Sequence, residues 1–274
     1  MGRLIRLGVG DWPSALPFAW PLQQRLLSLS GELVVADAAD IDERMAEGML
    51  TAGLVSPAEY LRHADRYRRS AHLGLMATGP GAQAAILFSR HALSLLEGAT
   101  FAVQPAAGGE RALLEALLRA EHALVVETEE RRGPLALVLR DFPAVLLVGE
   151  RALLTAQNLP AEVSAHDLTD WWHQATGLPY PVGVWVAQRQ WAEDHPEAWQ
   201  QVQREVAQAR DLGLLMQEAM LADWCERRPI RPEAMSRHLG AYSYEPGGRF
   251  GAAMTRFAQL AGLPLPPGDD HVDR

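Results

Sequence analysis

Residues 40–67, DIDERMAEGMLTAGLVSPAEYLRHADRY, place a short helix, a strand and a second helix start in succession with almost no loop. Ile41 and Met45 stand four apart, which puts both on one helical face, and Gly48 suits the left-handed residue that stops a helix. AGLVS then reads as a buried strand running straight into Ser56-Pro57-Ala58-Glu59. That tetrapeptide offers a capping serine, a proline at the first helical position and a glutamate at the third. A helix start at the carboxyl edge of a sheet presents N–H groups and the positive end of its dipole, and both favour an anion. The stretch predicts an α/β scaffold with a small-acid site. It does not name the acid.

Strand and helix patterns alternate along most of the chain, which argues for an α/β class with largely parallel sheets. LIRLGVG opens with a strand, followed by a helix around Phe18 to Leu29, and GELVVADA and LTAGLVS give strands two and three. AAILFSR (84–90) is strand-like, and a further strand follows at 100–104 before an alanine- and leucine-rich helix from Glu110 to Arg119. ALVVE, LALVLR and AVLLVG are short apolar runs expected to build a small sheet. VGVWVAQRQ (182–190) is another strand, residues 194–228 read as long helices, and the Pro/Gly-rich tail from Pro266 reads as frayed.

One connectivity fits this order. A first lobe of residues 1–90 plus 182–274 and a second lobe of 91–181 would be joined by crossings at ILFSR and GVWVAQ. The cleft between them is where a small ligand would sit, and hinged closure would exclude water. A single doubly wound sheet is the alternative.

The 274 residues carry a net charge of −9 with no basic cluster, which argues against a nucleic-acid surface. No apolar run reaches the roughly 18–20 residues of a membrane span. Cys225 is the one cysteine and forms no internal disulfide, in keeping with a reducing compartment. MGRLIRLGVGDW enters a strand pattern with no signal-peptide core, so a cytoplasmic location is expected.

Several motifs fail. Gly8-Val9-Gly10 begins like a dinucleotide fingerprint, but Pro13 stands where the third glycine belongs. His166 and His173 are seven apart and His63 and His72 nine apart, neither being the spacing of a zinc-binding helix. Trp171, Trp172 and Trp185 could line an aromatic pocket, although packing in a core is the commoner use. What remains is a set of loops at strand ends: Asp11-Trp12-Pro13-Ser14, Ser56, Gly79-Pro80-Gly81-Ala82-Gln83, Ala106-Ala107-Gly108-Gly109 and Gly149-Glu150. Ligands of open α/β sheets gather at such strand ends, and paired glycines let backbone N–H groups approach closely.

Four segments, EGMLTAGLVSPAEYLRHADRY, GPGAQAAILFSR, AVLLVGERAL and DLTDWWHQATGLPYPVGVWVAQRQWAEDHPE, together resemble the menaquinone-biosynthesis family that contains chorismate dehydratase. Their order and spacing match over roughly residues 3 to 265. The resemblance implies a type 2 periplasmic-binding-protein-like fold, a small-molecule substrate and the loss of water from chorismate, with no metal or redox cofactor. It also includes a sister enzyme that acts on cyclic dehypoxanthine futalosine. Family members commonly carry an asparagine where this chain has Ser14, and a serine where it has Gln83 or Ala84. Hydroxyl residues at the second-lobe helix start are replaced by Gly108, Gly109 and Glu110. The expected catalytic groups are Ser14 and Gln83 as hydrogen-bond donors and Asp11 and Glu150 as proton carriers; the substrate's own carboxylate is an alternative base. Trp12, Ser56, Ala84, Gly108, Gly109 and Tyr180 are the expected substrate contacts. A non-catalytic binder of an aromatic acid is a further reading.

Overall fold

A computed structural model describes residues 4–105 and 108–266. Ala106, Ala107 and most of the tail expected to fray lie outside the described residues. Among the described residues, eleven strands form two sheets: β1 (Arg6–Gly10), β2 (Glu32–Ala36), β3 (Ala52–Val55), β4 (Tyr67–Ala77), β5 (Ala85–Ser89), β6 (Thr100–Val103), β7 (Glu127–Glu130), β8 (Ala144–Val148), β9 (Ser164–Asp167), β10 (Tyr180–Gln188) and β11 (Tyr242–Ser243). The first sheet runs β11-β4-β10-β3-β1-β2 and the second β7-β6-β8-β5-β9.

The stretch 40–67 folds as its sequence dictates. Asp37 caps the helix Ala38–Ala46 by accepting from the Asp40 N–H, and Gly48 follows at φ +70°. Ile41 and Met45 are fully buried, each worth about 2 kcal/mol on removal from water. They lie over the first sheet where Gly8 leaves room. A Cβ on Gly8 would stand 2.6 Å from Leu50 Cδ1 and 3.1 Å from Ile41 Cδ1. The Gly8-Val9-Gly10 pattern is thus a packing device. All four residues of β3 are buried, and β1 pairs in parallel with β2 and β3.

The sheets are mixed rather than largely parallel. β10 runs antiparallel to β3 and β4, and β5 runs antiparallel to β8 and β9. The long strand β4 was not expected. Its first half, YRRSAH, is polar and partly exposed, and the alternation of a half-buried strand is broken there. LALVLR is not a strand but the start of the helix Leu135–Asp141, with Val138 and Leu139 inward and Leu137 outward. The helix expected at Phe18–Leu29 spans Leu16–Gln23, and Arg25 at φ +55° turns the chain away.

The crossings also differ in place from those expected. β5 sits between β8 and β9 in the second sheet, so the segment 84–90 is not shared with the first. The chain passes between sheets over residues 78–84 and again over 168–179. A cluster made by Leu16, Trp20, Leu153, Met220, Trp224 and Met235 joins the helix after β8 to the helices Gln217–Glu226 and Pro232–Gly240. Among the described residues, no helix is long and apolar enough to cross a membrane.

Candidate functional site

A cavity of about 320 Å³ lies between the two sheets, near the lower end of the ~300–1,000 Å³ usual for small-ligand sites. The first sheet contributes the loops at the carboxyl ends of β1, β2 and β3, carrying Asp11 to Ser14, Asp37 and Ser56, and Arg62 from the last turn of the helix Pro57–Arg62. The second contributes Gln104 after β6 and Gly149, Glu150 and Arg151 after β8, with Gly109 and Glu110 at the start of the helix Gly108–His122. Parallel strands aligned this way bring their terminal loops to one place. His238 and Tyr242, from the C-terminal part of the chain, complete the wall.

The two sides already touch. A Cβ on Gly109 would stand 3.6 Å from Ser56 Cβ, and one on Gly149 would stand 3.7 Å from Trp12 Cβ. Gly149 has φ +58°, a conformation that a side chain would strain. Trp12 is folded back so far that a Cβ on Gly10 would lie 1.8 Å from its Cζ3. Gly10 is what lets this indole reach the cavity.

Of the expected residues, Asp11, Trp12, Ser14, Ser56, Ala84, Gly109 and Glu150 line one cavity. Gln83 and Tyr180 are not on its wall. Gln83 faces a separate hollow bounded by Thr78, Pro80 and Arg237, and its backbone N–H donates to Asp167 Oδ2 at 3.0 Å. Tyr180 is core: it is 1 % exposed and packs edge-on against Trp172 at 5.7 Å and Phe257 at 6.1 Å. Trp172 and Trp185 are also fully buried.

The helix start at Ser56 is capped as its sequence indicates, but with a different partner for its backbone. Ser56 Oγ accepts from the Glu59 N–H at 3.1 Å, while the Ser56 N–H donates to Asp42 Oδ1 at 2.8 Å. Glu59, the residue expected to close the capping box, instead accepts from the Tyr67 hydroxyl at 2.7 Å and meets His63 Nδ1 at 2.9 Å. Asp42 therefore occupies the anion position that this helix start offers.

Burial pushes the Asp42 carboxyl up to about 7, against hydrogen bonds from Ser56 that lower it. Burial likewise pushes the Glu110 carboxyl up to about 7. Asp11 is raised by burial and then by the Asp37 charge. Near neutral pH, Asp42 and Glu110 are thus poised between accepting and donating a proton. Positive charge comes from Arg62 and from Arg151, whose guanidinium donates to the Gly133 carbonyl at 2.7 Å. Glu150 accepts from Arg228 Nε at 2.8 Å. Burial lowers His238 to about 4, so its imidazole is neutral. Ser14, 3 % exposed, lies beside the Tyr242 phenol, whose hydroxyl donates to the Ala82 carbonyl at 2.9 Å. Among the described residues, no three His, Cys, Asp or Glu side chains are grouped to hold a metal ion.

Sequence reasoning missed Asp37, Asp42, Arg62, Arg151, His238 and Tyr242. Asp37 could have been found as a capping residue at the end of β2. His238 and Tyr242 carry no local signal, because only the folding-back of the C-terminal chain brings them to the cavity.

The profile of a family described as menaquinone biosynthesis matches residues 5–262. A chorismate dehydratase from Thermus thermophilus is 30 % identical over 264 residues, covering 88 % of this chain and 91 % of that protein. Among solved structures, a protein from Archaeoglobus fulgidus superposes with a TM-score of 0.73 at 19 % identity, covering 94 % of this chain and 96 % of that one. The periplasmic aliphatic sulphonate binding protein SsuA from Escherichia coli gives a TM-score of 0.65 at 14 % identity, over 95 % and 92 % of the two chains. The fold is periplasmic-binding-protein-like.

Proposed function

The chain belongs to the menaquinone biosynthesis family, and on that premise we propose that it removes water from chorismate to give 3-[(1-carboxyvinyl)oxy]benzoate on the futalosine route. The observation that carries this reading is the cavity of about 320 Å³ between the sheets, lined by hydroxyl, carboxyl and guanidinium groups. The nucleoside-derived substrate of the sister reaction would ask for more room.

The chemistry is a hydro-lyase elimination. The proton leaves the ring carbon that bears the ether, its bonding pair becomes a ring double bond, and the neighbouring hydroxyl departs to become water. The ring becomes aromatic, which drives the reaction. As the proton leaves, negative charge spreads towards the ring carboxylate. Fixed donors facing that charge are worth a few kcal/mol each in an enclosed site. Arg62, Arg151, Ser14 and the protonated forms of Asp42 and Glu110 are the groups available for this. The two sheets would act as cores of hinged lobes that close on the substrate and exclude water. A reducing, cytoplasmic setting goes with this reading, since Cys225 is the chain's single thiol.

The test is incubation of purified protein with chorismate and detection of the enolpyruvyl benzoate by mass spectrometry. Turnover no faster than the uncatalysed background overturns the proposal. The fold shared with a sulphonate-binding protein favours a second reading, a binder of aromatic carboxylates that performs no chemistry. Calorimetry showing tight chorismate binding without product would select it.

A further inference from the structure

A second hollow, of about 760 Å³, borders the first crossing between the sheets. Three places in the chain build its polar wall. Gln83 comes from the crossing itself, Gln157 from the end of the helix Gly149–Gln157, and Arg231 and Arg237 from the start and last turn of the helix Pro232–Gly240. Among the described residues, no Asp or Glu borders it, although the chain carries a net charge of −9. Glu233, the acid nearest Arg231 in sequence, borders a different hollow with Leu221 and Ser236.

The polar groups here are donors that have nothing to donate to. Among the described residues, neither guanidinium makes a hydrogen bond or an ion pair. Solvated arginines often lack partners, so these two alone decide nothing. Gln157 does. Its Oε1 accepts from the Arg231 N–H at 3.5 Å, which orients the amide, while its Nε2 is buried and has no acceptor. Leaving such a donor unmade costs about 1–3 kcal/mol, and buried polar atoms are nearly always paired. Gln83 repeats the pattern. Its backbone, at φ +47°, is anchored on Asp167, but among the described residues its side-chain amide has no partner. Two cations and two amides with no acceptor between them fit an anion that has several oxygens.

We propose that this hollow binds the phosphate group of a small metabolite, at a site separate from the cavity between the sheets. A phosphate carries close to two negative charges at neutral pH and three strong acceptor oxygens. That matches two guanidinium groups, whose planar forks suit phosphate oxygens, and leaves an acceptor for the amides. A carboxylate would bring one charge and two oxygens. The hollow is larger than a phosphate needs and falls in the range of small-ligand sites, so it has room for the rest of the molecule. Neighbouring residues divide between the two sites: Gln83 and Arg237 line the hollow, Ala84 and His238 the cavity. A bound phosphate would tie the helix Gly149–Gln157 to the helix Pro232–Gly240 beside the crossing.

The experiment titrates inorganic phosphate into the full chain by calorimetry at fixed ionic strength, with chloride as the control anion. One phosphate per chain is expected. Arg231→Gln and Arg237→Gln should each weaken it about tenfold or more, the scale of one hydrogen bond between charged groups. Arg62→Gln, a change at the cavity between the sheets, should alter it by less than about twofold if the sites are separate. Nitrogen-15 spectra of wild type give an independent reading, in which phosphate must shift the side-chain amide of Gln157. No binding at millimolar phosphate, binding that chloride matches, or binding lost in Arg62→Gln but kept in Arg237→Gln overturns the proposal. Should the arginine variants fail to melt cooperatively, the wild-type spectra decide alone, and an unmoved Gln157 signal refutes the site. Chorismate turnover enters none of these readings, so the outcome is independent of the dehydration proposed above.

Discussion

Arg228 Nε lies 2.8 Å from Glu150 Oε2, linking the chain after the helix Gln217–Glu226 to the first turn after β8. The pair therefore ties the C-terminal helices to the second sheet at the edge of the cavity. Both side chains are about one-third exposed, so the pair is worth ~1 kcal/mol or less. Glu150→Gln should raise KM for chorismate about two- to fivefold and leave kcat within about twofold. Steady-state kinetics distinguish this from the alternative: a loss of 100-fold in kcat at unchanged KM would make Glu150 a proton carrier.

Asp42 and Glu110 carry a pH signature. Each is raised by burial to about 7, above the ordinary carboxylate value near 4. Between these values the folded chain holds protons that the unfolded chain has lost, so stability falls as pH rises from about 4 to 7 and levels beyond. Asp42→Asn keeps an oxygen for the Ser56 N–H and removes the titration. The variant should match the parent near pH 4 and exceed it near pH 8. Roughly three units at about 1.4 kcal/mol each set an upper bound of ~4 kcal/mol. Urea melts at the two pH values check this, and an equal difference at both would refute it.

The same shifts bear on ligand binding. A dicarboxylate meets less repulsion once Asp42 and Glu110 are protonated, so affinity for chorismate should strengthen as pH falls from 8 to 6. Calorimetry across that range reads it directly. Weaker binding at pH 6 would mean that the ionised forms are the ones that hold the ligand.

Gly10→Ala tests the seat of Trp12. The new methyl would overlap an indole ring that lies 1.8 Å from its position, so the ring must swing away. A redshift of tryptophan emission and a loss of about tenfold or more in kcat/KM are expected, with the melting temperature little changed. Unaltered kinetics would place Trp12 outside the ligand's reach.

Ser14→Ala and Gln83→Ala form a contrasting pair. Ser14 faces the cavity and Gln83 faces a different hollow. The first should lower kcat/KM tenfold or more, the second by less than about twofold. A large effect at Gln83 would show that the productive state reshapes the segment 78–84.

Local signals made much of the scaffold legible. Ile41, Met45, Gly48 and Ser56 specify their own helix, stop, strand and cap through spacing and backbone preference alone. LALVLR resisted reading because a short apolar run fits a strand or a buried helical turn equally well; Leu137, exposed on the finished fold, settles it as helix. β4 resisted because Arg68, Arg69 and His72 interrupt its pattern, and its partner β10 lies more than a hundred residues away. The cavity followed from strand ends for Asp11, Ser14, Ser56 and Gly109. It was hidden for His238 and Tyr242, whose positions are set by tertiary contact.

Leu153 is buried with Leu16, Trp20 and Met235, although it comes from the helix that follows β8. Parting the two halves would strip this leucine of its neighbours and wet the tryptophan beside it. The two walls of the cavity are therefore held against each other by apolar packing that needs no ligand to complete it.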